Sequence, residues 1–226
     1  MTGPPVHSLT GDQVTALFSE AARGVFPEPD FSVRIGPLCG PAAAVVAFTD
    51  CVVVATPMGV RWWREVLADG ADPMHPRVLL TLADALGTTV GENEAVLAAA
   101  PSRTVSLARS VRLVPFDDGH PRVARARRYR DDVRAWTTVE GDGLLVVGRG
   151  LAGRWEMSMD VAPRARTRGL GRALAAAARA HVPRGQAVYA QVAPGNAASL
   201  RALLAAGYHP VAQEVLFPLR PAGGSA

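Results

Sequence analysis

The sequence predicts a mixed α/β fold, and three observations predict it. Short apolar runs rich in Val and Ala recur with the alternating period of strands. Between them, other stretches place apolar residues at helical spacing. The second half sets consecutive strand-like runs before an alternating β-α-β-α-β ending, an order that builds a mixed sheet. At 226 residues and 49% hydrophobic, the chain suits one domain or two small ones, with a real core.

The elements follow in order. An amphipathic helix is expected over residues 12–22, led by Thr10 or Gly11 as cap. Apolar runs at 43–48 and 51–55, separated only by Thr49 and Asp50, read as a hairpin. Helices are expected at 60–68 and 76–86, the second with Pro76 in its first turn and Gly87 as its stop. A short strand at 95–99 precedes Pro101. Beyond it come a strand at 111–115, a helix at 121–130, and strands at 133–139, 144–149 and 154–161. A helix from Leu170, a strand at 187–192, a helix at 197–206 and a strand at 210–217 complete the order.

The polar, Arg-bearing stretch 101–110 is the candidate boundary: a smaller mixed α/β half at 1–105, a second half at 106–220, and a flexible tail at 221–226. His75-Pro76-Arg77-Val78 and His120-Pro121-Arg122-Val123 each open a helix. The echo suggests that the first half is a degenerate duplicate of the second; shared cap chemistry is the alternative.

Every basic side chain is Arg, and the net charge of +4 with a pI of about 9.8 suits an anionic ligand, a nucleic acid or no partner in particular, so charge alone decides nothing. Cys39 and Cys51 form neither a disulfide framework nor a metal-ligand spacing, which fits a reducing compartment. No leader and no apolar run of membrane-spanning length stands out, so the chain reads as soluble and cytoplasmic.

The chemistry concentrates around residues 155–172. Trp155, Met157, Met159 and Val161 alternate with Glu156, Ser158 and Asp160, so the strand has one apolar and one polar face. From Leu170 the period becomes helical. Arg166, Thr167, Arg168, Gly169, Leu170 and Gly171 therefore form a strand-to-helix loop, followed by Arg172. A helix N-terminus leaves N–H groups unpaired and carries partial positive charge. Glycines let phosphate oxygens approach that backbone.

Val161-x-Pro163-x-x-Arg166-x-x-Gly169-Leu170-Gly171 resembles the acyl-CoA signature of the GCN5-related N-acetyltransferase (GNAT) superfamily. Asn196-x-x-Ser199 followed by Gly207-Tyr208 resembles its second motif. The resemblance implies a GNAT-like fold in the second half, with the first half walling an acceptor cleft or forming a dimer interface. It implies that the loop backbone from Thr167 to Arg172 binds a pyrophosphate. Met159, Asp160 and Val161 would pair with a pantetheine arm, at a splay between their strand and the one at 187–192. Asn196 and Ser199 would line the same cleft, although Asn is also a favoured helix cap. The implied activity is transfer of an acetyl group from acetyl-CoA to a primary amine, with Glu156 as general base. Where many members carry a Tyr seven residues after the Asn, this chain has Leu203. Tyr208 and Tyr189 are the candidates left for a proton donor.

Two other readings compete. The absent Tyr suggests a non-catalytic acyl-CoA sensor. Six arginines at 122, 125, 127, 128, 130 and 134 suggest nucleic-acid binding, but they point around the helix, neither zinc spacing nor an aromatic RNA-binding motif accompanies them, and a solvated helix partly neutralised by Asp131 and Asp132 is the better account. The order is enzyme, then sensor, then nucleic-acid binder. The acceptor is not readable.

Overall fold

In the computed structural model, residues 3–100, 111–117 and 119–219 are described. The candidate boundary at 101–110 and the tail at 221–226 lie outside them. Among the described residues, eleven strands join in one mixed sheet. They are β1 Val6–Ser8, β2 Val33–Gly36, β3 Ala42–Phe48, β4 Cys51–Ala55, β5 Asn93–Ala99, β6 Leu113–Pro115, β7 Asp131–Thr138, β8 Gly143–Arg149, β9 Trp155–Val161, β10 Val188–Val192 and β11 His209–Pro218. Their spatial order is β1-β2-β4-β3-β11-β5-β10-β9-β8-β7-β6. Six α-helices cover the faces: α1 Gly11–Ala21, α2 Val60–Val66, α3 Pro76–Leu86, α4 Pro121–Tyr129, α5 Leu170–Ala178 and α6 Ala197–Ala205.

Local chemistry explains most of these elements. Thr10 caps α1 through a reciprocal box with Gln13, the arrangement that satisfies two orphan N–H groups at once. Asp50, at φ 51°, lets the two-residue turn close the β3–β4 hairpin. The two His-Pro-Arg-Val segments share one cap geometry. Each His sits at the N-cap with Pro at the first turn, and its Nδ1 accepts the backbone N–H of Arg77 (3.2 Å) or Arg122 (3.1 Å). That common cap accounts for the echo locally. Strands β1 and β2 were not expected; at three and four residues they are too short to show alternation.

Strand β5, from the first half of the sequence, lies between β11 and β10 and pairs antiparallel with both. Its side chains serve both faces of the sheet. Leu97 and Ala99 pack in a core with Leu174 of α5, Leu145 and Met157. Val96 and Ala98 pack in a second core with Val14 and Phe18 of α1. A third core gathers Trp63 of α2, Val78 and Leu82 of α3, and Val45 and Phe217.

The register then fixes which polar side chains meet. Tyr189 lies opposite both Glu156 and Ala98, Gln191 opposite Val96, and Glu94 opposite Glu214. With side chains alternating along each strand, Glu94, Glu156, Ser158, Gln191 and Glu214 project from the same face. Helix α4 packs over that face through Val123 and Ala126 against Leu144 and Val146.

Candidate active site

Strands β9 and β10 run parallel and pair at Trp155–Val188, Glu156–Tyr189 and Met157–Ala190, where pairing ends. Beyond that point β9 stays with β8, while β10 stays with β5 through Val192 opposite Ala95. The parted strands open a wedge of about 640 Å³, within the range of small-molecule sites. Met157, Ser158, Met159 and Asp160 line one side; Ala190, Gln191, Val192, Asn196, Ser199 and Leu203 line the other; His120 and Arg122 of the α4 entry lie across it.

Hydrogen bonding leaves Met159 as the open stretch of the β9 edge. The N–H of Ala162 points toward the β8 side, to Asp142 O at 2.8 Å, so by alternation Met159 and Val161 turn their backbone groups toward the wedge. Both groups of Val161 are already used: its N–H donates to Asp160 Oδ1 at 2.9 Å, and its carbonyl accepts from Arg166 Nε at 3.2 Å. Arg166 thus ties the loop to the strand end.

The loop itself ends in an open helix start. Gly169 adopts φ 81°, a left-handed conformation suited to glycine, and no side chain caps α5. The first intrahelical bond returns from Ala173 N to Gly169 O, leaving the N–H groups of Leu170, Gly171 and Arg172 without helical partners. A Cβ on Gly171 would lie 3.5 Å from Ala202 of α6 and 3.8 Å from Met159 Cε, which places the α5 start beside the wedge. Arg168 and Arg172 are exposed there. None of residues 166–172 lines the wedge itself.

Asn196 caps a helix and faces the wedge. Its Oδ1 accepts Ser199 N at 3.1 Å as the cap of α6, and both residues line the wedge.

Glu156 projects from the polar face of its strand, as the alternation predicts, and is paired there with arginines. It is 1% exposed, between two guanidiniums. Arg154 Nε donates to Oε1 at 2.7 Å and Arg130 Nε to Oε2 at 2.9 Å. Arg154 also makes a two-pronged pair with Glu214 at 2.7 and 2.8 Å, while Arg130 reaches Ser158 Oγ (3.3 Å) and Gln191 Oε1 (3.0 Å). Burial pushes the Glu156 pKa up, but Arg154 and Arg130 outweigh it and hold the carboxyl below its usual range. Such a carboxylate is a weak base whose two oxygens are both occupied. Gly150 is required by the same network, since a Cβ there would lie 2.3 Å from the Glu156 carboxyl.

The tyrosines are placed away from the wedge. Tyr208 is 2% exposed and donates to Ala175 O at 3.0 Å; Tyr189 donates to Phe18 O at 2.6 Å. Burial pushes the Tyr208 phenol up and the Tyr189 phenol to about 12. Both hydroxyls close carbonyls of helices. Leu203, the residue at the expected Tyr position, does line the wedge.

Sequence reasoning missed Glu94. It lines both the wedge and an adjoining pocket of about 80 Å³ that reaches Glu156, Tyr129 and Arg130. Burial, reinforced by the Glu214 charge, pushes its pKa from 4.5 up to about 7, against the pull of Arg125. The six arginines of the α4 region are dispersed. Arg130 is buried, Arg125 and Arg127 face Glu92 and Asp117 at 3.6 Å, and Arg122 turns to the cleft.

Fold and site together describe a mixed α/β chain whose parted parallel strands form a cleft beside an uncapped helix start. No protein-family model and no curated protein matches the sequence. Among solved structures, the chain is similar to a GCN5-related N-acetyltransferase from Kribbella flavida, at 20% identity and a TM-score of 0.41 over 66% of this chain and 65% of that one. It is also similar to a tandem GNAT protein from the clavulanic acid biosynthesis pathway, at 16% identity and a TM-score of 0.37 over 70% and 61%. A GCN5-related N-acetyltransferase from Sphaerobacter thermophilus matches at 16% identity and a TM-score of 0.36 over 72% and 67%. The chain spans less than two thirds of the length of the first two. Among the described residues, no helix is long and apolar enough to cross a membrane.

Proposed function

We propose that the chain is an acyl-CoA-dependent N-acyltransferase of the GNAT type, moving an acetyl group from acetyl-CoA to a primary amine. One observation carries the reading: the parallel strands β9 and β10 separate after Met157 and Ala190, and the separated edge runs to an uncapped helix start. A ligand with an extended amide-bearing arm and a pyrophosphate fits that sequence of groups. Its phosphates meet the N–H groups of residues 170–172 and the charges of Arg168 and Arg172. Its arm pairs with the free backbone of Met159, as an added strand would. Its thioester then reaches the depth of the wedge near Ser158 and Gln191, where the amine approaches through the adjoining pocket.

Titration calorimetry tests the cofactor half directly. Acetyl-CoA is expected to bind in the micromolar range, and Gly171→Asp, which sets a carboxylate among the unpaired N–H groups, is expected to weaken it at least about tenfold. Equal affinity of the two proteins would remove the α5 start from the site. Absence of binding to the unsubstituted protein would remove the function.

A further inference from the structure

Two charges of opposite sign are left unmatched at one place in the cleft. The wedge and the smaller pocket share a wall formed by Glu92, Glu94, Arg122, Arg125, Ser158 and Gln191. Arg125 faces Glu92 at 3.6 Å, and Arg130 behind the wall is tied to Glu156 at 2.9 Å. Glu94 and Arg122 have no such match. Among the described residues the side chain of neither makes an ion pair or hydrogen bond, and Arg122 Nε is buried without a partner. Leaving a charge part-buried and unpaired costs free energy, so two of opposite sign on one wall suit a ligand that brings both complements.

We propose that the acceptor is a small zwitterion of the α-amino-acid type, its carboxylate held by Arg122 and its ammonium by Glu94, with Glu94 the base that frees the amine. The proposal rests on the acyltransferase reading above. Glu94 takes one proton from the ammonium. The amine nitrogen then attacks the thioester carbon, the C–N bond forms, and the C–S bond breaks with its electron pair leaving on sulfur. The nitrogen's second surplus proton goes to the thiolate, giving the amide and free CoA thiol, and Glu94 returns its proton to water.

The surroundings suit that task. Glu94 faces Glu214 from β11, Arg125 from α4, Arg130 just after it, and Glu92 from its own approach; burial and the two carboxylates outweigh the arginines and put it at about 7. A carboxyl titrating near neutrality both accepts and releases a proton at working pH. Glu156, with both oxygens bonded to arginines, is the fixed charge that holds Arg130 beside this wall.

The test is thiol release from acetyl-CoA with the twenty L-amino acids, each compared with its decarboxylated amine and its α-amide. Amino acids are expected to exceed their matched amines by about tenfold or more in kcat/KM, since only they pair with the guanidinium. Arg122→Gln should raise KM for the amino acid to the amine's level while the acetyl-CoA Kd stays within about twofold. Glu94→Gln should lower kcat by about a hundredfold or more and abolish the rise of rate through pH 7, again without changing that Kd, and Glu94→Asp should restore part of the rate. Amines or amides that react as well as the amino acids would overturn the proposal. So would acetyl-CoA binding with no thiol release from any amino acid, and that result leaves the cofactor reading standing. If acetyl-CoA does not bind at all, the acyltransferase reading fails. The zwitterion site is then judged by thermal shift: an Arg122-dependent rise with amino acids supports it, and no rise overturns it.

Discussion

Glu156 and Glu94 are both carboxylates on one sheet face, and their surroundings drive them in opposite directions. Glu156 is stabilised as an anion by Arg154 and Arg130, so its folded pKa lies below the unfolded value. Its contribution to stability is complete above the ordinary carboxylate range and is lost as pH falls through the folded value. Replacing it by Gln leaves two buried guanidiniums short of a partner, and should cost about 3 kcal/mol in chemical denaturation at pH 7. Glu94 has the reverse sign. Between 4.5 and about 7 the folded state holds a proton that the unfolded chain has released, so this residue makes the fold less stable as pH rises across that window. Glu94→Gln should therefore stabilise the protein at pH 8, by about 1 to 2 kcal/mol after allowance for solvent screening, while it removes turnover. Unfolding curves at pH 4 and pH 8 check it: the gain should appear at pH 8 and be almost gone at pH 4, below the window.

At the level of elements, the loop and the caps were the legible part. Alternation through Trp155–Val161, the glycines that follow and the helical period from Leu170 gave the strand, the loop and the helix in their right places, because each rests on local backbone chemistry. The parting of β9 from β10 was expected only through the family resemblance. It arises because β10 follows a different partner, β5, and pairings over such sequence distance leave no periodic trace. Glu94 was missed for the same reason: it stands at the start of a strand read only from Ala95, in the half without motifs. Tyr208 stands in the sequence as a substitute for the Tyr absent at Leu203 or as an aromatic anchor after Gly207; its hydroxyl turns inward to α5. Asn196 offers a way to separate cap from cleft. Asn196→Ala should lose the α6 cap and about 1 kcal/mol of stability. Asn196→Asp keeps a side-chain oxygen for Ser199 N but places a negative charge in the wedge. Its melting temperature should match the unsubstituted protein while its acetyl-CoA affinity falls. If both variants bind acetyl-CoA normally in calorimetry, Asn196 is a cap alone.

The whole molecule depends on one strand that crosses from the first half into the middle of the sheet. Without β5, β10 and β11 would each lose a hydrogen-bonded neighbour, Leu97 and Ala99 would leave a hole beneath α5, and Val96 and Ala98 another beneath α1. The same strand brings Glu94 to the cleft, so core and chemistry are joined in one element. A fragment of residues 106–220 keeps every motif that resembles an acyl-CoA signature, yet it leaves β11 without either neighbour, β10 with one edge unpaired, and a core open on both faces. Expressed alone, that fragment should lack the near-ultraviolet circular dichroism of a packed core and should not bind acetyl-CoA. Co-expression with residues 1–105 should restore both, because the pairing of β5 needs contact but not covalent continuity. A fragment that folds and binds by itself would show that β5 merely lines the acceptor side, and that the second half is complete without it.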